Sequence, residues 1–433
     1  MRQLILFLFL LSTFALNGQQ LQISYWDSLN HVKKDSGCFE NQKRTGVWKH
    51  WYRNGQIQSV EQYKSGLAIG TWLEYYENGG LKSELSQLDG KCKEYFTSGN
   101  IKAEWMVKAA LRNGVYTEYY EIGQKYKELT FVDGKKEGIG KMWHPGGEKS
   151  FEGNYRNDSL NGKAIWWHPS GLRDMEGELK SDTQEGKWIY YQENGSIGST
   201  GDFVKGRQQG EWIYYYPKGE VWKKGLFDKG LRTGHWIVYY ENGAIYHEGS
   251  FENDKEEGLW ISYLPDGVVD YKGSFHEGLM NGVWEGYFTD GRIRYHHEYK
   301  DGLKHGKSYM ISDRRLKVYE GEYRFGKREG EWIEYSPYGK VSQQGAYKED
   351  KKQGRWMFYD AAGALIREQS FNADLPHGLF TTYFPDGKMQ NRGNYVLGQQ
   401  QGIFTYWNIT GDKAMEVEFV NGKKVRTILQ PKK

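Results

Sequence analysis

Large aromatic and polar residues alternate along most of this chain in short runs that end at glycine. The stretch GEWIYYYPKGEVWKKGLF at residues 210–227 is typical, and pairs such as Asn242-Gly243 and Asp266-Gly267 separate similar runs elsewhere. Alternation with a period of two predicts β-strands, and Asn-Gly or Asp-Gly between two such runs predicts a hairpin with positive φ at both turn residues. We therefore expect a succession of β-hairpins with two-residue loops.

The hairpin unit repeats every 24 residues. Glycine occupies each 24th position from Gly114 to Gly402, and Gly46 and Gly70 keep the same spacing upstream, with four residues missing around Gly90. Sixteen repeats therefore cover residues 46–425. Phased repetition of this length indicates a repeat array. The sequence predicts an all-β fold, an elongated solenoid of antiparallel hairpins forming one twisted sheet.

Each repeat places its aromatic residues at fixed distances from its opening glycine. If Lys218-Gly219 is the loop, Trp212 lies opposite Gly225 and Gly210 lies opposite Phe227. Such pairs fill the gap that glycine leaves in a pleated sheet. Their repetition predicts one structural aromatic ladder, formed by Trp188, Trp212, Trp236, Trp260, Trp284, Trp332 and Trp356.

The opposite face of the predicted sheet carries a row of tyrosines beside a row of glutamates. Exposed tyrosine is a favoured anchor at protein interfaces, so this face is the candidate for partner binding. An ordinary solvated sheet face is the alternative. The candidate residues are Tyr191, Tyr215, Tyr239, Tyr263, Tyr287 and Glu248.

Composition and charge narrow the possible functions. The chain of 433 residues contains 34 tyrosines and 17 tryptophans, which is too aromatic for a disordered chain. Its 59 basic and 56 acidic residues are interspersed, and no basic block stands out. Nucleic-acid binders usually concentrate their basic charge, so nucleic acid is not an expected partner.

The first residues, MRQLILFLFLLSTFALNGQQ, resemble a secretory signal peptide, with Arg2 ahead of a short apolar run. We expect cleavage after residue 19 and export to the periplasm, the cell surface or the medium, with no integral membrane segment remaining. A retained N-terminal anchor is the alternative. The mature chain then comprises an N-terminal cap at 20–45, the array at 46–425 and a tail at 426–433.

Residues that could carry chemistry are few. Cys38 and Cys92 fall about five strands apart, roughly 24 Å, so we expect two free thiols instead of a disulfide. His144 and His168 occupy equivalent places in successive repeats, roughly 10 Å apart, too far to share one metal ion. The sequence predicts no catalytic residues, no metal and no cofactor, and hence no enzyme.

The segment YEGEYRFGKREGEWIEY at 319–335 resembles a MORN repeat, with Tyr319, Gly321, Tyr323, Gly326 and Gly330 at the characteristic positions and Trp332 after them. The fuller unit, GxWxxYYxNG, is similar to the MORN-variant repeats of bacterial proteins, including YwqK-like antitoxins. The resemblance implies hairpin sheets that serve as scaffolds for proteins or membranes, and the antitoxin relatives imply neutralisation of a toxin by binding it.

These observations lead us to expect a non-catalytic, exported scaffold that binds a protein partner along the tyrosine and glutamate face, with an antitoxin or immunity role as its concrete form. A cell-envelope glycan-binding protein is the alternative, because exposed tyrosines also stack on sugars. Membrane association has less support, since no basic amphipathic stretch is present.

Overall fold

The computed structural model describes residues 15–16, 18–29 and 31–429. The predicted signal peptide at 1–19 lies mostly outside these residues. All regular structure in the described part of the chain is β-strand, and each strand pairs antiparallel with a chain neighbour. The all-β hairpin fold predicted from the sequence is therefore confirmed.

The strands up to residue 204 are β1 Ala15–Leu16, β2 Gln19–Tyr25, β3 Lys33–Glu40, β4 Lys43–Trp51, β5 Ile57–Lys64, β6 Leu67–Tyr75, β7 Leu81–Ser86, β8 Gly90–Tyr95, β9 Ile101–Lys108, β10 Leu111–Arg112, β11 Gly114–Tyr119, β12 Lys125–Val132, β13 Lys135–Lys136, β14 Gly138–Trp143, β15 Lys149–Arg156, β16 Ser159–Trp167, β17 Arg173–Lys180, β18 Thr183–Tyr191 and β19 Ile197–Val204.

The strands from residue 207 onward are β20 Arg207–Tyr215, β21 Val221–Asp228, β22 Leu231–Tyr239, β23 Ile245–Glu252, β24 Lys255–Tyr263, β25 Val269–His276, β26 Leu279–Tyr287, β27 Ile293–Lys300, β28 Leu303–Ile311, β29 Lys317–Arg324, β30 Lys327–Tyr335, β31 Val341–Lys348, β32 Lys351–Tyr359, β33 Leu365–Asn372, β34 Leu375–Tyr383, β35 Met389–Val396, β36 Gln399–Trp407, β37 Lys413–Val420 and β38 Lys423–Leu429.

Contacts divide the chain into two compact units. The first comprises the described residues up to Gln209 together with Pro217–Gly219, and the second comprises Gly210–Tyr216 together with Glu220 onward. Within each unit the hairpins follow one another in chain order, and each hairpin packs against its sequence neighbours in that unit.

The turn inside each hairpin differs from the predicted two-residue loop. At Asn242-Gly243 only the glycine has positive φ, +83°, and Gly243 N–H donates to Tyr240 O at 3.0 Å. This is a three-residue loop in which a type I turn is followed by glycine and a bulge. The predicted positive φ at Asn242 was wrong. The bulge restores the register, which is why counting from a two-residue loop still pairs the strands correctly.

The asparagine side chain makes hydrogen bonds that stabilise these turns. Asn242 Oδ1 accepts the Ala244 N–H at 3.0 Å, and its Nδ2 donates to Pro265 O in the next hairpin's loop at 3.3 Å. The two-residue turns with positive φ at both positions occur between hairpins instead, as at Asn253 (+52°) and Asp254 (+68°).

The predicted register of the hairpin is confirmed, but the packing over its glycine differs from the prediction. Gly210 pairs with Phe227 and Trp212 with Gly225, as expected. The ring over Gly225, however, belongs to Trp236 of the next hairpin, whose Nε1 donates to Leu226 O at 3.1 Å. The tryptophan therefore joins one hairpin to the preceding one.

Both ends of the array follow the same plan. In the predicted cap at 20–45, strands β2 and β3 form a hairpin, and the Trp48 ring covers Gly37 as Trp236 covers Gly225. In the predicted tail at 426–433, residues up to Leu429 continue β38, where Leu429 pairs with Glu416. Residues 430–433 lie outside the described part of the chain.

Candidate functional site

The seven predicted ladder tryptophans lie on one face of their hairpins. Six of them are buried, and Trp260 is half-buried. Phe227 packs edge-on against Trp236 with ring centroids 5.2 Å apart, and Phe251 does the same with Trp260 at 5.1 Å. Cations cover parts of the ladder, for example the Arg232 guanidinium 4.0 Å from the Phe251 ring centroid. These rings stabilise the fold by packing and cation–π contacts.

The tyrosine and glutamate rows on the other face are joined by hydrogen bonds between neighbouring hairpins. The Tyr263 hydroxyl donates to Glu248 at 2.7 Å, and the Tyr191 hydroxyl donates to Glu176 at the same distance. Tyr287 donates to Glu285 of its own strand at 2.6 Å. The predicted binding tyrosines, including Tyr215 and Tyr239, are half-buried, so each presents only part of its ring to solvent.

Burial and hydrogen bonds shift the pKa of some members of the two rows. Burial, together with the hydrogen bond and charge of Glu248, raises the pKa of Tyr263 to about 12. The hydrogen bond from Lys317, followed by that from Tyr335, lowers the pKa of Glu320. At neutral pH Tyr263 therefore keeps the proton that it donates to Glu248, and Glu320 is the ionised acceptor of the Tyr335 hydroxyl.

Aliphatic side chains border the tyrosines on the same face, and the sequence reasoning missed them. Leu259 and Val283 follow the opening glycines of successive repeats and are 55% and 46% exposed. Strand alternation places them on the side of Tyr263 and Tyr287. Equivalent or neighbouring exposed residues on this face are Val47, Val115, Ile139, Leu231, Leu279, Leu303, Leu375, Leu379 and Ile403. Their odd offset from the opening glycine, shared with the tyrosines, could have revealed them.

A groove opens on the tryptophan side of the second unit. It has a volume of about 690 Å³ and lies among Tyr214, Trp222, Lys223, Trp236 and Tyr246. Trp222 and Tyr246 are each 40% exposed, so part of each ring is accessible to solvent. The sequence analysis did not single out either residue.

The histidines and cysteines singled out from the sequence serve structural contacts or remain free thiols. No group of three or more His, Cys, Asp or Glu side chains among them is placed to hold a metal ion. His144 Nε2 lies 2.9 Å from Trp167 O, so this histidine links successive hairpins. Cys38 and Cys92 are both free thiols, and burial raises the pKa of Cys92. The described part of the chain also has no helix of the length and hydrophobicity needed to cross a membrane.

Comparison with known families explains the shared plan of the hairpins. The MORN repeat variant matches six segments in phase with the 24-residue period, at 44–65, 69–86, 88–109, 208–229, 232–253 and 376–396. Each of these segments is similar to a MORN repeat. Trp48, Trp72, Trp212 and Trp236 lie within them, and Trp212 and Trp236 belong to the tryptophan ladder.

The chain was also compared with complete protein sequences and with solved structures. No curated protein sequence matches the chain. Among solved structures, the crystal structures of TcdB2-TccC3 and of TcdB2-TccC3-Cdc42 align over 94% of this chain at 10% and 11% identity, each with a TM-score of 0.14. A third, TcdB2-TccC3-TEV, aligns at 11% identity with a TM-score of 0.16. The chain spans about a quarter of those proteins, 26%, 25% and 22% of their lengths respectively.

Proposed function

We propose that this protein is a non-catalytic, exported scaffold that binds a protein partner along the tyrosine and glutamate face. The observation that carries the proposal is the row of exposed aliphatic side chains on that face, including Leu259 and Val283. Exposed apolar residues that are rimmed by polar ones mark protein-interaction surfaces. The half-buried tyrosines beside them would act as anchors that lose little conformational entropy on binding.

The aliphatic residues are not required by the repeat itself. The position of Leu259 and Val283 holds Glu211, Glu331 and Lys307 in other repeats. A solvated face could therefore carry charged residues at this position. The presence of aliphatic residues there in two successive repeats supports the interpretation that the face binds a partner. The hydrogen-bonded Tyr263 and Glu248 pair keeps the surrounding surface rigid, which reduces the ordering cost of association.

The concrete form that we propose is antitoxin-like or immunity-like: the scaffold would silence its partner by covering it. Such a role needs an extended complementary surface and no catalytic group on the scaffold. A toxin partner should lose its activity at a one-to-one ratio with the MORN-repeat chain, and the inhibition should disappear with the same substitutions that abolish binding.

The test is capture of envelope proteins by the mature chain, with Leu259→Glu/Val283→Glu as the binding variant. Lys307→Glu is the matched control, because it changes charge at the same repeat position. The glutamates at 211 and 331 show that the fold accepts this residue there. We expect a stoichiometric protein that the wild type and the control retain and the double variant loses. A partner held equally by all three chains would contradict the proposed face.

A further inference from the structure

The groove of the second unit begins where the residue two places after the ladder tryptophan changes from a large ring to a small side chain. In the hairpin that begins at Gly210, Tyr214 packs beside Trp212 with centroids 6.1 Å apart. The equivalent positions in the next two hairpins hold Val238 and Ser262, which are too small to fill that space. The first depression therefore opens at Val238, and a second one of about 470 Å³ follows beyond Trp260.

Two exposed rings stand along the groove at equivalent places in successive hairpins. Trp222 rests on Tyr216 with centroids 6.3 Å apart, and Tyr246 rests on Tyr240 at 4.9 Å, so both rings are held in place. Being two strands apart, they are separated by roughly 10 Å. The repeat does not require aromatic residues here, because the same position holds Ser150, Gly198 and Asp270 elsewhere.

A lysine without an acidic neighbour lies beside Trp222. Lys223 Nζ is 4.4 Å from the Trp222 ring centroid and 4.6 Å from that of Tyr214. None of the residues that line the groove is an aspartate or glutamate. The other strong cation, Arg232, is 3.0 Å from Asp254 and is therefore already paired.

The first unit contains a neutralised version of the same arrangement. Tyr126 and Lys127 occupy the positions of Trp222 and Lys223, and Lys127 Nζ lies 4.8 Å from its tyrosine ring centroid. There, Glu118 takes the place of Tyr214 and pairs with Lys127 at 3.2 Å. The carboxylate that would neutralise Lys223 is thus replaced by a ring, which leaves the ammonium group for an external anion.

We propose that this groove binds an acidic saccharide, with pyranose rings stacked on Trp222 and Tyr246 and a sugar carboxylate accepting a hydrogen bond from Lys223. Sugars present flat C–H faces to aromatic rings, and the ring spacing is close to the repeat of a β-linked disaccharide. The single unpaired ammonium supplies the charge complement. Trp222, Lys223 and Tyr246 are not among the residues of the proposed protein-binding face, although Tyr239 of that face also borders the groove.

The test uses the full mature chain and an oligomer of uronic acid, with binding followed by tryptophan fluorescence and calorimetry. A neutral chito-oligosaccharide of equal length, inorganic phosphate and a glutamate-rich peptide are the comparison probes. We expect saturable one-to-one binding of the uronate oligomer, weakened at least about tenfold, or 1.4 kcal/mol, by Trp222→Ala and by Lys223→Gln. Both replacements occur naturally at these repeat positions, as Ala414 and Gln343, so the variants should fold.

Tyr126→Ala and Lys127→Gln are the matched controls and should leave binding unchanged. The neutral oligosaccharide should bind more weakly than the uronate by about the same factor as the Lys223→Gln variant. Equal binding of the uronate by Lys223→Gln and wild type would overturn the proposal. So would tighter binding of the peptide, or displacement of the sugar by phosphate at comparable concentration.

Discussion

Gly225 lies beneath the Trp236 indole, and a Cβ atom at this glycine would meet the ring at 2.1 Å. The same contact recurs between Gly249 and Trp260 and between Gly321 and Trp332. Gly225 is also paired with Trp212 across its hairpin. The sequence alone therefore predicts that Trp212 packs over Gly225, whereas the ring that does so is Trp236. The ring that lies over the glycine is determined by the bulge between Lys224 and Leu226. The residue pattern does not predict this bulge.

Gly225→Ala should therefore destabilise the hairpins on both sides of it. Overpacking of this kind costs about 1–3 kcal/mol. Hydrogen exchange is the appropriate measurement, because a repeat array opens locally and has no single unfolding free energy. We expect faster exchange in β21 and β22. Gly80→Ala is the control, since Gly80 is exposed and only the Asn78 side chain is near its Cβ position; equal effects of the two substitutions would contradict the packing described.

At two places where tryptophan is absent, a larger residue replaces the glycine of the preceding hairpin. Ser308 stands at the tryptophan position and His297 at the glycine position, and His297 Nδ1 lies 2.8 Å from Ser308 Oγ. Leu129 and Gly140 reverse the order, because a Cβ on Gly140 would meet the Leu129 side chain at 2.7 Å. At these two contacts the larger side chain on one hairpin compensates for the smaller one on its neighbour.

Acid should weaken the hairpins around His297. Burial, followed by the charge of Lys304, lowers the pKa of His297 to about 4, whereas an unfolded histidine titrates near about 6.5. The folded state thus binds fewer protons, and its stability is full above pH 6.5 and falls as pH drops towards 4. Exchange in β27 and β28 should accelerate over this interval, and His297→Gln should flatten the dependence. An unchanged pH profile in that variant would contradict a buried neutral histidine.

At the scale of the hairpin, two rows of side chains connect each element to the next. Tyr240 donates its hydroxyl to Tyr263 O at 2.8 Å, and Tyr263 donates to Glu248 at 2.7 Å. The period and strand pairing of these hairpins are predictable from the sequence, because alternation and glycine spacing determine them. The turn conformations are not predictable in this way. Asn242 donates a hydrogen bond to Pro265 O of the next hairpin, and this contact exists only in the folded structure.

Alkali should loosen the tyrosine and glutamate face. The pKa of Tyr263 is raised to about 12 by burial and Glu248, against about 10 for an unfolded tyrosine. The folded state retains this proton, so its contribution to stability is full below pH 10 and is lost as pH rises through 12. In the wild type, hydrogen exchange of β23 and β24 should increase in this interval beyond the intrinsic base-catalysed rate.

Tyr263→Phe keeps the ring and removes the titrating hydroxyl, which makes it the matched control for that experiment. This variant should be less protected than the wild type at neutral pH and should lack the additional loss above pH 10. If it followed the wild-type curve throughout, the hydrogen bond to Glu248 would not contribute to stability.

At the scale of the whole molecule, the two faces of the hairpins differ in what they offer. Exposed aliphatic residues such as Leu259 lie on the tyrosine and glutamate face, whereas Trp222 and Lys223 line the groove. The tyrosine face was predictable as a candidate surface because its rows are periodic. The groove was not, because it lies beside Val238 and Ser262, at a repeat position whose residue type varies along the chain.

The most direct test of the account is the affinity of the captured protein partner for variants that each alter one face. We predict that Leu259→Glu/Val283→Glu weakens partner binding at least about tenfold, or 1.4 kcal/mol, while Trp222→Ala leaves it unchanged. Such a result would locate the partner on the tyrosine and glutamate face. Loss of partner binding in Trp222→Ala, with full affinity in the double variant, would contradict that assignment.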